Sequence, residues 1–227
     1  MNEKIVHRNI AALVCEEPYR LFFPLGILIG ILGVSHWGFY AAGWSPSYSG
    51  FFHSLIQMQG YMACFIFGFL MTAMPRFSST PHATWKELLT VFLSMTAIVG
   101  FLFARLWILA EISFIALLLT FVRFAVVRVS KRDKRHLPPS EFIWIPIAIL
   151  HGIVGAAILI LFQLGVIPVW FGDIGEDMAT QGFVLAIVAG VGGFMAPRLM
   201  GLYELPKHSE ACAPEQFIQA KKRRAWI

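Results

Sequence analysis

Residues 59–76 read QGYMACFIFGFLMTAMPR, and residues 181–198 read QGFVLAIVAGVGGFMAPR. The two segments belong to longer ungapped copies, 20–77 and 142–199, that lie 122 positions apart. Most matching positions hold glycine or proline, residues that fix backbone shape and permit close approach: Pro24 and Pro146, Gly30 and Gly152, Gly33 and Gly155, Gly43 and Gly165, Pro46 and Pro168, Gly50 and Gly172, Gly68 and Gly190. A shape repeated in so apolar a chain predicts a duplicated pair of membrane helices.

The composition is that of an integral membrane protein. Hydrophobic residues make up 58% of the 227 residues and charged residues 14%, too few to cover a soluble domain. Six apolar stretches are long enough to cross a bilayer: about 21–42, 52–74, 87–105, 109–128, 142–164 and 178–197. We therefore predict an all-α bundle of six transmembrane helices over residues 21–200, a four-helix module followed by the first half of a second copy. An N-terminal segment (1–20) and a basic C-terminal tail (201–227) flank it.

The basic residues predict the orientation of this bundle. Seventeen of the 18 Lys and Arg residues fall on one side of the predicted topology, and only Arg105 falls on the other. The positive-inside rule places the basic side, with both termini, in the cytoplasm. The basic runs flank membrane ends and lack interleaved aromatic residues, so the bilayer is the expected partner and nucleic acid is excluded.

Small residues line one face of the first and fifth predicted helices. Gly26, Gly30 and Gly33 lie at helical spacing, and Ala148, Gly152 and Gly155 stand at the matching positions. Such faces let two helix backbones approach closely. They suit packing within the bundle, and they also suit docking in a homodimer or a larger membrane complex.

Three histidines lie at membrane depth and differ between the copies. The counterparts of His36, His53 and His151 are Ile158, Gly175 and Ile29. Ionisable residues inside a membrane mark function, and imidazole is a common ligand of metals, including haem iron. His36 and His53 are expected within one helical turn in depth, with His151 about 10–15 Å deeper. If a haem stands upright in the membrane, its two axial ligands need similar depth, so His36 with His53 is the favoured pair, and His151 would serve a second site or a hydrogen bond.

Other polar residues surround this candidate site. His53, Gln57, Gly60, Cys64 and Met71 form one stripe of the second helix, which faces either the bundle interior or a flat cofactor. Arg105 would bind a propionate or pair with Glu111. The acidic group Asp173, Glu176 and Asp177 is expected in a solvated loop.

Two stretches resemble the NnrS family of membrane proteins. Pro18-Tyr-Arg-Leu-Phe-Phe23 is similar to the family's Arg-x-Phe-Phe entry into the first helix. Gly60-Tyr61 followed by Gly68-Phe-Leu-Met-Thr-Ala-Met-Pro75 is similar to its second-helix pattern. The resemblance implies a bacterial inner-membrane protein that contains haem and copper and is linked to nitric oxide stress and denitrification. It brings a looser likeness to the haem–copper oxidase scaffold. Family members usually have about twelve spans, so this chain would correspond to the first half.

The resemblance implies a metal-ligating histidine at one position, His53. The family pattern before Gly-Tyr is His-x-His-Glu-Met, and this chain keeps only the first histidine, His53. Leu55 and Ile56 replace the second histidine and the glutamate. Haem b through His53 is therefore the main cofactor expectation, and copper is the weaker one.

Three functions follow as hypotheses. The first is a haem-b membrane protein that binds nitric oxide or transfers electrons, with iron ligands His53 and His36 and further cofactor contacts from His151, Gln57 and Arg105. The second is a non-catalytic subunit of a larger respiratory complex. The third, a small-solute transporter, is disfavoured because no broken helices with converging polar groups are evident. The residues leave open whether the chain catalyses a reaction.

Overall fold

The computed structural model describes residues 10–131 and 139–202, and within these ranges all regular structure is helical. A short helix, α1 (Ile10–Glu16), precedes six long ones. These are α2 (Tyr19–Ala41), α3 (Gly50–Ser78), α4 (Trp85–Phe103), α5 (Trp107–Lys131), α6 (Ser140–Gln163) and α7 (Val169–Leu199). All six are long and apolar enough to cross a membrane, which confirms the predicted all-α, multi-pass architecture.

Two predicted helix boundaries are wrong. α3 continues through Pro75 to Ser78, because a proline near the end of a helix removes only one donor and the last turn still forms. α7 begins at Val169 rather than near 178, so the acidic group lies on helix and not in a solvated loop. Pro168 at the N-cap has the fixed φ that suits a helix start.

The sequence repeat is repeated in backbone geometry. α2 and α6 both end in a glycine with positive φ, +75° at Gly43 and +71° at Gly165. In the first copy, the Gly43 N–H donates to the carbonyl of Tyr40 and the next N–H donates to that of Phe39. In the second copy, the Gly165 N–H donates to the carbonyl of Phe162 and the next N–H donates to that of Leu161. In both, the glycine reaches three residues back and its successor five. This is the Schellman turn, which requires a left-handed residue that glycine adopts without strain. The two copies therefore turn from one helix into the next in the same way.

Both second helices also contain a stretch of π-helix at the same point of the repeat. In α3 it covers Ile56–Met62 and in α7 it covers Met178–Gly182, and Met178 is the repeat counterpart of Ile56. π-helical turns are rare and occur frequently at functional sites. The two π segments contact each other across the bundle.

The small-residue faces pack within the chain. A Cβ on Gly30 would meet the Tyr61 ring at 2.6 Å, and one on Gly33 would meet Gln57 at 2.6 Å. In the second copy Gly152 packs against Leu118 and Gly155 packs against the backbone of α7. Of the two uses expected for these faces, the structure shows internal packing. α3 is central, in contact with α2, α4, α5 and α7.

The bundle has two chemically different ends. We call the end with loops 42–49, 104–106 and 164–168 the hairpin end, and the opposite one the basic end. Among the described residues, Arg105 alone of the Lys and Arg residues lies at the hairpin end. The others lie at the basic end: Arg20, Arg76, Lys86, Arg123, Arg128, Lys131 and Arg198. The predicted tail and the loop at 132–138 fall mostly outside the described residues.

Candidate functional site at the hairpin end

The structure brings His36 and His53 together. His36 lies on the last turns of α2 and His53 on the first turn of α3, joined by loop 42–49. The Tyr48 ring lies near both imidazoles: its centroid is 5.7 Å from that of the His36 ring and 6.1 Å from that of the His53 ring. Because His53 bonds to Gly33, three residues before His36 on α2, the two imidazoles lie within about one helical turn in depth, at the hairpin end.

The hydrogen bond of His53 leaves one ring nitrogen available. His53 Nδ1 lies 3.3 Å from the carbonyl oxygen of Gly33, and a carbonyl only accepts. Nδ1 therefore carries the proton and donates, so Nε2 presents a lone pair. Metal-ligating histidines are oriented in this way, with the second nitrogen bonded to a carbonyl or carboxylate. His53 thus fits an axial ligand of haem iron in its donor chemistry.

His36 is engaged differently. Its Nε2 accepts the backbone N–H of Ser49 at 3.4 Å, so this lone pair is already in use. Its ring also stacks near Tyr48 and meets the edge of Phe52 at 4.9 Å between centroids. As an iron ligand through Nε2, His36 would have to give up the Ser49 bond. The pairing of His36 with His53 stays a prediction, with His53 the better prepared of the two.

A cavity of about 280 Å³ adjoins His36. Arg105 lines it together with serines and apolar side chains: Ser45, Ser47, Ser49, Phe52, Leu102, Phe103 and Trp107. Arg105 has φ +57°, an uncommon conformation for a residue with a side chain. The alternative predicted for Arg105, pairing with Glu111, is wrong because Glu111 is bonded to Gln59 inside the bundle. A cation, three hydroxyls and an imidazole beside one cavity suit an anionic or polar ligand.

Below the histidines, the stripe on α3 packs directly against α2. Gln57 Nε2 donates to the carbonyl of Gly30 at 3.3 Å. A Cβ on Gly60 would meet Ile29 at 2.9 Å, and one on Gly26 would meet Cys64 at 2.9 Å. No slot for a flat group separates these helices, so the stripe faces the bundle interior. A haem held by His53 would therefore lie at the hairpin end and not between α2 and α3.

The same position differs between the copies. Gly175 and Ala179 stand in α7 where His53 and Gln57 stand in α3. In the second copy a Cβ on Gly155 would lie 2.3 Å from the Ala179 nitrogen and 2.7 Å from the Gly175 oxygen, so the two backbones touch. In the first copy the imidazole and the amide contact Gly33 instead. The first copy therefore carries polar side chains at positions where, in the second copy, the two helix backbones are in direct contact.

His151 lies apart from these two histidines. It packs against Gly182 in the π segment of α7, as its counterpart Ile29 packs against Gly60. Its Nδ1 is 2.8 Å from the Ile147 carbonyl of its own helix, which again leaves Nε2 with a lone pair. The hydrogen bond expected for His151 was to a neighbouring helix, whereas the one observed is to its own helix, α6.

Copper, the weaker cofactor expectation, stays a prediction. Leu55 and Ile56, which follow His53 on α3, are fully buried and apolar and offer no metal ligand. Among the described residues, no group of three or more His, Cys, Asp or Glu side chains is placed to hold a metal ion.

Sequence reasoning missed a buried polar cluster between the two π segments. Gln59 Nε2 donates to both carboxylate oxygens of Glu111, at 3.2 and 3.0 Å, and both residues are almost completely buried. On the same side, the Ser54 hydroxyl donates to Glu176, its own counterpart in the repeat. The repeated Gln-Gly was visible in the sequence, but nothing in the sequence showed that α5 would place Glu111 against Gln59.

Together, the duplicated helix pair and the imidazoles at one end define a polytopic α-helical membrane protein with a candidate site in its first repeat. A family model described as NnrS protein matches residues 13–214. The chain belongs to the NnrS family, as the resemblance in the first two helices predicted, and the match extends over most of the chain. Membership fits a nitric-oxide-related membrane protein. No curated protein and no solved structure matches the chain.

Proposed function

We propose that this chain is a haem-b protein of the bacterial inner membrane that binds nitric oxide or transfers electrons. Its family and the state of one side chain support the proposal. The observation that carries it is His53, an imidazole at membrane depth whose Nδ1 is bonded to the Gly33 carbonyl and whose Nε2 is left to bind a metal. The basic end would face the cytoplasm, since Lys and Arg concentrate there.

Each residue of the site has a separate role in this proposal. His53 would hold the iron through Nε2, and the Gly33 carbonyl would keep the ring oriented. Arg105 would bind an anionic substituent, because it is the cation at this end of the described structure. When bound, haem supplies an iron centre that takes a diatomic ligand or an electron.

The apolar side chains beside the site would limit water access. Phe52 is buried and lies 5.2 Å from Phe103 between ring centroids. Phe51 lies 5.2 Å from Trp107 in the same edge-to-face arrangement. Burial of this kind is one of the means by which a protein sets the redox potential of a haem.

The test is the absorbance spectrum of the purified protein, oxidised and reduced. We expect a Soret band that is lost in His53→Ala and retained in His82→Ala, an exposed histidine at the basic end that serves as the matched control. Added nitric oxide should shift the band if the iron binds it. A colourless, folded wild-type protein from haem-supplied cells would refute the proposal.

Two further variants separate the candidate ligands. His36→Ala should change the band position if His36 is the second ligand and leave it unchanged if the Ser49 bond is its whole role. His151→Ile copies the residue found in the first repeat, so the fold should tolerate it. If His151→Ile loses haem while His53→Ala keeps a normal haem content, then the haem site lies on α6 and not at His53.

A further inference from the structure

A carboxyl group lies beside the π segment of α3, inside the membrane bundle. Glu111 is 1% exposed and Gln59 is 0% exposed, and the two are joined by two hydrogen bonds. Glu111 lies on the second turn of α5, within the apolar length of that helix. An ionisable group in this position is costly and marks function.

No cation in the described structure pairs with Glu111. α3 presents the neutral amide of Gln59, and α7 presents Glu176, a like charge in electrostatic range. On α6, His151 is bonded to its own helix. On α4, Glu87 binds Arg128 at the basic end. A carboxylate without a compensating charge is strongly disfavoured in an apolar interior, and taking up a proton removes that cost.

A second observation points to a proton donor at the same place. Gln59 Oε1 is buried and has no hydrogen-bond partner. A buried acceptor left without a donor is destabilising. A protonated carboxyl supplies the missing donor: after a small turn of the amide, the Glu111 O–H donates to Gln59 Oε1 while Gln59 Nε2 keeps donating to the other carboxyl oxygen.

We propose that Glu111 and Gln59 form a proton-binding site, reached from the hairpin end past Glu176 and Ser54. In the binding step, a hydronium ion at the hairpin end gives a proton to one carboxylate oxygen of Glu111 and is left as water. The product is a neutral carboxylic acid hydrogen-bonded to Gln59, and no other covalent bond changes. The site is separate from His53 and does not depend on bound haem.

The geometry favours a proton over a metal cation. Gln59 directs N–H groups at both oxygens of Glu111, and an amide N–H beside a cation is repulsive. A sodium or potassium site would instead present several oxygens to one point.

Infrared spectroscopy of the purified, lipid-reconstituted protein tests the site directly. At neutral pH we expect a C=O stretching band of a protonated carboxylic acid that disappears in Glu111→Gln. The matched control is Glu141→Gln, a glutamate at the start of α6 near the basic end, which should leave the band in place. Absence of any such band that depends on Glu111 would overturn the proposal.

A second variant keeps the proposal testable if Glu111→Gln does not fold. Gln59→Leu retains the carboxyl and removes its hydrogen-bond partner, so the band should move to higher frequency. An unmoved band would show that Gln59 is not part of the site. The same measurement in haem-free protein separates this proposal from the function proposed above.

The entry route and the choice of ion have their own readouts. On transfer to D₂O, the Glu111 band should shift as the proton exchanges, and Glu176→Gln should slow that exchange. An unchanged exchange rate would refute the route past Glu176. Exchanging sodium for potassium or choline at constant pH should leave the band intensity unchanged, and a sodium-dependent loss would assign the site to a cation instead.

Discussion

The close contact between α6 and α7 makes a quantitative prediction for Gly155→Ala. The added methyl would lie 2.3 Å from the Ala179 nitrogen and 2.7 Å from the Gly175 oxygen. Both are backbone atoms, so no side-chain rotation relieves the overlap and the helices must separate. Overpacking costs about 1–3 kcal/mol, and the better helix propensity of alanine offsets about 0.5–1 kcal/mol. We expect a net loss of about 1–2 kcal/mol.

Two glycines in the same bundle serve as controls. A Cβ on Gly152 would meet the end of the Leu118 side chain at 2.8 Å, which can move, so Gly152→Ala should cost less. A Cβ on Gly100 meets nothing within 4 Å, so Gly100→Ala should be neutral or slightly stabilising through helix propensity. The expected order of stability is therefore Gly100→Ala, then Gly152→Ala, then Gly155→Ala.

The assay is thermal unfolding in one mild detergent, followed by circular dichroism. A loss of 1 kcal/mol corresponds to a fall in Tm of about 2–4 °C for a chain of this size. If Gly155→Ala unfolds at the same temperature as Gly100→Ala, then α6 and α7 are not in backbone contact. The second copy would then lack the direct backbone contact that distinguishes it from the first.

Two further predictions concern ion pairs at the basic end. Hydrogen bonds from Arg20, and to a smaller extent from Arg76, lower the pKa of Glu17 from 4.5 to about 2. The stability that this pairing adds should therefore be complete above about pH 4.5 and be lost as the pH falls through about 2. The difference in Tm between wild type and Glu17→Gln should vanish over that range. Arg128 donates from both terminal nitrogens to Glu87, at 2.5 and 2.8 Å, and its side chain is 4% exposed. Removing one member of a buried ion pair costs about 3 kcal/mol of stability, because the other charge stays buried without a partner. The Tm of Arg128→Ala should therefore lie well below that of the double variant Arg128→Met with Glu87→Gln. Equal Tm values for the two variants would show that the pair is not buried.

The fold was predictable because its signals are local. The apolar runs fixed the number of spans, and the shared glycines fixed the duplicated turns at Gly43 and Gly165. The early start of α7 was missed because Asp173, Glu176 and Asp177 have the composition of a loop. An exposed helical turn that carries carboxylates has the same composition, and the sequence does not show the contact of Glu176 with Ser54 on α3.

The site was predictable in depth but not in direction. Counting residues from the helix ends placed His36 and His53 at one level, which the structure shows. Which way each side chain points depends on helix rotation, and periodicity in an almost uniformly apolar chain carries little information about that. The bond between Gln59 and Glu111 joins residues 52 positions apart, and such a pairing leaves no local signal in the sequence.

The bond between Ser54 and Glu176 depends on the difference between the two copies. The two residues are counterparts, so the contact lies where each half of the duplication meets the other. Glutamate at both positions would bring two carboxylates together, and serine at both would leave no charged acceptor. A hydroxyl that donates to a carboxylate therefore needs unlike residues in the two halves of the chain.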